Sequence, residues 1–260
     1  MARQNTVHAA AAVLVVVPTY NERENLATLA PRILAQGEQF HLLVVDDDSP
    51  DGTGPLADEL AAADPRVRVL HRASKGGLGP AYIAGLTTGM KRGFDYLVTM
   101  DADHSHDPAD LPRLLAATHD ARADVALGSR WTAGGSTRGW PLRRRVLSRG
   151  GSAYVRLVLG VDLRDATAGF KCIRASALAA LEIDTIGSSG YAFNIELNYR
   201  ATLRGFRIVE VPIVFTERIT GASKMSGRIV AEALLRVPAL RTTSLRPLAD
   251  VRPLADARPT

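Results

Sequence analysis

Five short apolar runs alternate with helix-period segments through the first half of the chain, and that alternation narrows the choice of folds more than any other feature. The runs are Val13–Val17, Leu42–Val45, Val67–Leu70, Tyr96–Met100 and Val125–Leu127. Between them, apolar residues recur at helical spacing over about Leu26–Ala35, Pro55–Ala63, Pro80–Arg92 and Leu111–Thr118. Strands alternating with helices of this length predict βαβ units, hence an α/β domain with a mostly parallel central sheet flanked by helices. Right-handed crossovers then bring every loop that follows a strand to one edge of the sheet, where ligands bind in open α/β folds.

Those loops carry the chemistry. Asp101-Ala102-Asp103 directly follows the run Tyr96–Met100. Two carboxylates at i and i+2 beyond a strand end can offer oxygens to Mg2+ or Mn2+, which in turn bridges diphosphate oxygens and stabilises a leaving nucleotide. The small Ala102 lets a sugar or ribose approach closely, and Ser105 is placed to assist at the metal or a phosphate. His104 and His106 sit beside this pair, but zinc calls for a compact His/Cys set and the single Cys172 is remote. A second acidic cluster, Asp46-Asp47-Asp48-Ser49-Pro50-Asp51-Gly52-Thr53, follows the second strand. One Asp there can accept hydrogen bonds from a base edge or ribose, while Asp48 and Asp51 are read as parts of a turn into a helix N-terminus. After the first strand, Pro18-Thr19-Tyr20-Asn21-Glu22 offers an aromatic and an acid to a nucleobase. Gly76-Gly77-Leu78-Gly79 lacks the spacing of a dinucleotide fingerprint.

The second half is less regular. It predicts a Gly-rich loop at Thr132–Gly139, helices at Leu142–Leu159 and Ala192–Leu203, strands at Ile208–Val211 and Ile213–Thr216, then a polar loop and a helix at about Arg228–Leu240. Of the 32 Lys and Arg, six arginines fall between Trp131 and Val161 with no acid among them; the rest of the chain holds 26 basic against 27 acidic residues. One segment therefore supplies the whole net charge of +5, and it suits phosphate. On the helix Leu142–Leu159, residues Arg145, Arg149, Ser152 and Arg156 share one face, with Leu147, Gly151, Tyr154 and Val158 opposite. Such a helix lies against anionic head groups, holds an acceptor phosphate, or simply presents charge to water. The hydrophobic fraction of 46% with 23% charge excludes a wholly disordered chain. We expect a flexible stretch at 1–12 without an export signal, one domain over 13–240, and a disordered tail at 241–260, where Arg246-Pro-Leu-Ala-Asp250 is repeated as Arg252-Pro-Leu-Ala-Asp256. No apolar run reaches the ~18 residues of a spanning helix. With the single Cys172, a reducing cytosol fits. A nucleic-acid binder is disfavoured because interleaved aromatics and any known module are missing.

Taken in order, these motifs resemble family 2 glycosyltransferases, and within them the dolichol or polyprenol phosphate mannose synthases. The resemblance runs from Val13 to Ser226 and is carried by Pro18–Glu22, Val45–Asp47 with Ser49–Thr53, Gly77–Tyr82, Met100–Asp103, Gly128–Arg130, Gly139-Trp140 with Arg144 and Ser148–Gly150, Asp165–Phe170, Gly190–Phe193, and Arg218 with Gly221–Lys224. It implies a GT-A fold and inverting transfer of mannose from GDP-mannose to a polyprenyl phosphate lipid, with Mg2+ or Mn2+ as cofactor. It implies that Pro18, Tyr20, Glu22, Val45 and Asp47 hold the guanosine. Asp101, Ala102 and Asp103 would hold ribose, diphosphate and metal, with Ser105 assisting; Arg130, Arg218 and Lys224 would contact phosphate; Arg144 and Ser148 would form the acceptor-phosphate site. The implied setting is the cytoplasmic face of a membrane, reached peripherally or through an integral membrane partner. Asp48 stands where Gly or Asn is common in the family, and His104 replaces an apolar residue. The same fold using UDP-glucose, and a non-catalytic nucleotide-sugar or anionic-lipid binder, are the alternatives.

Overall fold

The computed structural model describes residues 11–188, 190–217 and 235–247, except the Tyr191 side chain. The five expected strands are present, four of them extended by one to three residues and β4 shorter by one: β1 (Val13–Thr19), β2 (Phe40–Asp46), β3 (Val67–His71), β4 (Tyr96–Thr99) and β5 (Val125–Ser129). Helices α1 (Arg23–Leu34), α2 (Thr53–Ala63), α3 (Leu78–Lys91) and α4 (Leu111–His119) connect them. Next in the chain come β6 (Ser136–Arg138), α5 (Leu142–Leu159), β7 (Lys171–Arg174), α6 (Ala175–Ala179), α7 (Gly190–Leu203), β8 (Ile208–Pro212) and β9 (Val214–Thr216).

The main sheet has seven strands in the order β3-β2-β1-β4-β7-β5-β8. All neighbours pair in parallel except β7, which runs antiparallel to both β4 and β5. Strand β1 shows why the sheet is covered on both sides. Val13, Val15 and Val17 face a cluster with Leu26, Leu29 and Ile33 of α1 and Leu111 and Leu114 of α4. Leu14 and Val16 face the opposite cluster, with Tyr82 and Leu86 of α3 and Phe193 and Leu197 of α7. Strand side chains alternate between faces, so a strand buried on both reads as an unbroken apolar run. Helix α3 lies close on its face because Gly85 and Gly89 leave no side chain there. A Cβ at Gly85 would fall 2.3 Å from Val16 Cγ1, and one at Gly89 would fall 2.4 Å from Leu97 Cδ2.

Several expectations change. Strand β7 was not anticipated, and part of the expected Gly-rich loop is β6, paired in parallel with β9. On α5 the buried line is Ser152, Val155 and Leu159, not the line opposite the arginines. Ser152 therefore leaves the basic face, because α5 packs through that line onto Ile195 and Tyr199 of α7. The tail does not begin at Arg241: residues 241–247 are described, and the Arg246 backbone N–H donates to Glu182 Oε1 at 2.7 Å. Leu240 is buried with Val237, so the chain is held beyond the helix. Residues 1–10 and 248–260 lie outside the described residues, as does 218–234, which contains Arg218, Lys224 and most of the last expected helix. Among the described residues no helix is long and apolar enough to cross a membrane.

Candidate active site

The loops after β1, β4 and β5 meet a cavity of about 430 Å3 that continues along α5 and α7. One end is lined by Pro18, Glu22, Lys75, Asp101, Ala102 and Asp103, and the other by Leu147, Ser148, Tyr154, Val155 and Ile195. Arg130, Trp140, Gly169 and Asn194 also line its wall.

At the first end the acidic cluster divides its labour. Asp46 is consumed by its own turn, accepting from Thr19 Oγ1 at 2.9 Å and from Ser49 Oγ at 2.6 Å. Asp51 accepts from the Thr53 and Arg23 backbone N–H groups, the turn role expected of it. Asp48 is exposed at a left-handed φ of 58°. Asp47 receives Arg72 at 2.5 Å and the backbone N–H groups of Gly76 and Gly77, each at 3.0 Å. It thus anchors the glycine loop and so places Lys75, whose Nζ lies 3.7 Å above the Tyr20 ring. The glycine loop, set aside on its spacing, is therefore part of the site. Its function was hidden because the carboxylate that organises it lies about 30 residues away. The Val45 side chain packs under α3, where a Cβ at Gly85 would be 3.0 Å from it.

The Asp101–His106 loop is tightly wound. Tyr82 donates to Asp101 Oδ1 at 2.9 Å; burial, then the neighbouring Asp101, holds the phenol pKa well above its ordinary value, so the proton stays on Tyr82. Ser105 N–H donates to Asp103 Oδ1 at 3.1 Å. Ser105 Oγ is buried with no hydrogen-bond partner among the described residues, beside that nearly buried carboxylate. An orphaned hydroxyl next to two carboxylates is an incomplete oxygen donor set, and it fits a hard divalent cation. Among the described residues no three His, Cys, Asp or Glu side chains gather as a metal cage. The histidines serve the loop itself. His106 stacks on Phe170 at 4.8 Å and meets Phe215 edge-on at 5.2 Å, and burial lowers its pKa. His104, at φ 59°, reaches Thr28 Oγ1 at 2.9 Å on α1.

Arg130, at the end of β5, is held in a buried fork: its Nε and Nη2 donate to Asp165 at 2.7 and 2.6 Å, and Nη2 also reaches Thr167 Oγ1 at 2.8 Å. Its guanidinium carbon lies 5.3–5.7 Å from the rings of Phe215, Trp140 and Trp131. Arg144 stacks over Trp140 at 4.0 Å and pairs with Glu217 at 2.9 Å, and Arg149 stacks over Trp131 at 4.6 Å. The two tryptophans thus tie the basic face of α5 to the cavity wall. Of the expected site residues, Pro18, Glu22, Asp101, Ala102, Asp103, Arg130 and Ser148 line the cavity. Tyr20, Val45, Asp47, Ser105 and Arg144 are not among its lining residues. Trp140, singled out in the sequence only as part of the Gly139-Trp140 motif and given no role, lines the cavity, and Lys75 and Asn194 were missed, since nothing in the sequence points to a lone Asn on a helix.

Residues 14–181 match the model of glycosyl transferase family 2. The chain is 53% identical to a polyprenol monophosphomannose synthase of Mycolicibacterium smegmatis, over 89% of this chain and 88% of that one. It is 51% identical to an undecaprenyl-phosphate mannosyltransferase of Micrococcus luteus, over 86% of this chain and 92% of that one. Among solved structures, glucosyl-3-phosphoglycerate synthase from Mycobacterium tuberculosis, in complex with Mn2+, UDP and product, superposes with a TM-score of 0.64. That match has 21% identity and covers 89% of this chain and 79% of the other. A mannosyltransferase from Pyrobaculum calidifontis, in complex with GDP-Man and Mn2+, gives a TM-score of 0.60 at 19% identity, over 90% and 65% of the two chains. The fold they share is the expected GT-A fold.

Proposed function

The chain belongs to glycosyltransferase family 2, and we propose that it transfers mannose from GDP-mannose to a polyprenyl phosphate with inversion, giving β-linked polyprenyl phosphate mannose and GDP. The observation that carries this reading is a single cavity with a carboxylate pair at one end and an apolar, arginine-flanked helix at the other. The relatives at 53% and 51% identity bear names that specify mannose and polyprenyl phosphate acceptors. GDP as the donor nucleotide follows the family resemblance and the Pyrobaculum complex.

In this reading the diphosphate lies at Asp101–Asp103 and the base against Pro18 and Glu22. A divalent ion, Mg2+ or Mn2+, held by Asp103 and Ser105, supplies charge neutralisation of the diphosphate when bound. A phosphate monoester is already anionic at neutral pH, so no carboxylate base is needed to deprotonate the acceptor. The protein's task is to hold two negatively charged reactants in line, which otherwise repel. Arg130 is suited to it, because Asp165 and Thr167 fix its forked guanidinium at the cavity wall before substrate arrives. Arg144 and Ser148 receive the acceptor phosphate from α5.

The outer face of α5 fits a membrane surface. Leu142, Val146 and Leu157 are 71%, 61% and 86% exposed and are interspersed with Arg143, Arg145, Arg149 and Arg156. An apolar stripe flanked by arginines suits an anionic leaflet, each arginine contributing on the order of 1 kcal/mol. We place the enzyme peripherally at the cytoplasmic face, with an integral membrane partner as the other route of recruitment.

The test is transfer by the purified protein from labelled GDP-mannose to short-chain polyprenyl phosphate, with Mn2+, Mg2+ or EDTA, and with UDP-glucose as the competing donor. Metal-dependent formation of polyprenyl phosphate mannose is expected. Transfer from UDP-glucose alone would replace the donor assignment, and no transfer from any donor would refute the enzyme reading.

A further inference from the structure

Lys171 is fully buried in β7, in the middle of the sheet, and the mechanism above does not use it. Its Nζ donates to Asn194 Oδ1 at 3.0 Å, and the attracting carboxylates around it are Asp101 and Asp165. Burial pulls its pKa down to about 7, against the pull of those two acids. Asn194 Oδ1 is the atom that faces Lys171 Nζ, the orientation an ammonium donor requires. The amide nitrogen is thereby turned the other way. It lies against Gly169, where a Cβ would come within 3.2 Å of Nδ2, and both Gly169 and Asn194 line the cavity. The next residue, Ile195, packs in one cluster with Val155, so Asn194 sits on the helix that packs against α5.

We propose that Asn194 is a further acceptor-binding residue, donating a hydrogen bond from Nδ2 to an oxygen of the acceptor phosphate, and that Lys171 is a positioning residue that fixes the amide in this orientation. This inference rests on the polyprenyl phosphate reading above. With its oxygen engaged, Asn194 presents donors alone, and a phosphate oxygen, which only accepts, is their natural complement. A neutral amide also adds no repulsion toward an anionic acceptor, as a carboxylate there would. Asn194 faces the phosphate from α7, whereas Ser148 approaches it from α5.

The experiment measures KM for short-chain polyprenyl phosphate and for GDP-mannose, together with GDP affinity, in wild type, Asn194→Ala, Asn194→Asp, Lys171→Met and the Lys171→Met/Asn194→Ala double variant. A lost hydrogen bond to a charged group corresponds to an acceptor KM raised about 10- to 150-fold, with donor KM and GDP affinity within about twofold. Asn194→Asp, which keeps a partner for Lys171, should raise acceptor KM further than alanine does, because it sets a negative charge against the phosphate. Lys171→Met should raise acceptor KM in the same way, and the double variant should be no worse than Asn194→Ala, since both changes disable one contact. An unchanged acceptor KM in Asn194→Ala, or a shift in donor KM or GDP affinity instead, overturns the acceptor assignment. If the alanine variant does not fold, Asn194→Asp decides: acceptor KM at the wild-type value overturns the proposal. Losses that add in the double variant overturn the positioning role of Lys171. A wild-type protein inactive with every donor refutes the enzyme reading itself, whereas an active wild type with indifferent variants refutes only this inference.

Discussion

Replacing Asp165 with asparagine keeps the shape of that side chain and removes its charge. Arg130 then remains in a nearly closed setting, with both its forked contacts to Asp165, at 2.7 and 2.6 Å, weakened at once. Asp165 is wholly buried and Arg130 nearly so, so water cannot make up the loss. Breaking one side of a buried pair costs about 3–5 kcal/mol. At about 2–4 °C per kcal/mol for a domain of this size, Asp165→Asn should lower Tm by about 6–20 °C. Replacing the pair together by apolar residues of similar volume, Arg130→Met with Asp165→Leu, removes both charges and should recover most of that loss. Transfer should not recover, because the guanidinium at the cavity wall is gone. Thermal melts and urea titrations of the three proteins, with turnover measured on the folded ones, provide the check. A Tm for Asp165→Asn within about 2 °C of wild type would refute the argument. So would a double variant no more stable than Asp165→Asn, since removing the second charge would then have relieved nothing.

Asp103→Asn should fold normally and lose at least about 100-fold in turnover, because it removes an anionic oxygen from the proposed metal site; circular dichroism and initial rates at saturating Mn2+ decide it. Arg145→Glu with Arg149→Glu reverses two charges on the outer face of α5, removing two attractions and adding two repulsions of about 1 kcal/mol each. Sedimentation with anionic vesicles should show binding weakened by up to about 1,000-fold at low salt, less at high salt, with GDP affinity unchanged; indifference to charge and salt would leave α5 a structural or acceptor-site helix only. Gly85→Ala sets a methyl group 2.3 Å from Val16 Cγ1 and should cost about 1–3 kcal/mol in urea denaturation, and a neutral result would show that α3 moves freely. Cys172, whose thiol pKa is pushed up to about 12 chiefly by burial, should resist Ellman's reagent at pH 8 until the protein is unfolded; rapid labelling of the native enzyme would contradict its burial.

The elements that were legible in the sequence are those whose periodicity comes from burial. Strand β1 is apolar at every position because both its faces are covered, and α5 ends at Gly160, which takes the left-handed conformation at φ 69°. Strand β7 was illegible because its four residues begin and end in Lys171 and Arg174. Their charges are satisfied by Asn194 and by the Thr118 carbonyl, partners that only the tertiary fold supplies. The Asp101–Asp103 pair stands out in the sequence because both its carboxylates lie within one short loop. The role of Asp47 could not, because its partners, Arg72, Gly76 and Gly77, belong to a different loop. The buried line of α5 lies one residue's worth of rotation, about 100°, from the line opposite the arginines. Its apolar residues are shared between α7, the cavity and the exposed surface, so their arrangement alone does not say which side is inward.

The position of β7 has a consequence for the chain as it is made. Strands β4 and β5 are consecutive parallel strands of the sheet, yet they do not touch; β7 lies between them, pairing Val98 with Cys172 and Leu127 with Lys171. A nascent chain that has emerged only as far as β5 therefore holds two strands whose facing edges are both open. Open edges are templates for pairing with other chains, and contacts across such sequence separations form slowly. Until about residue 174 has left the ribosome the sheet is two unjoined pieces, and a fragment ending at β5 should be aggregation-prone even though it carries the whole Asp101–Asp103 motif.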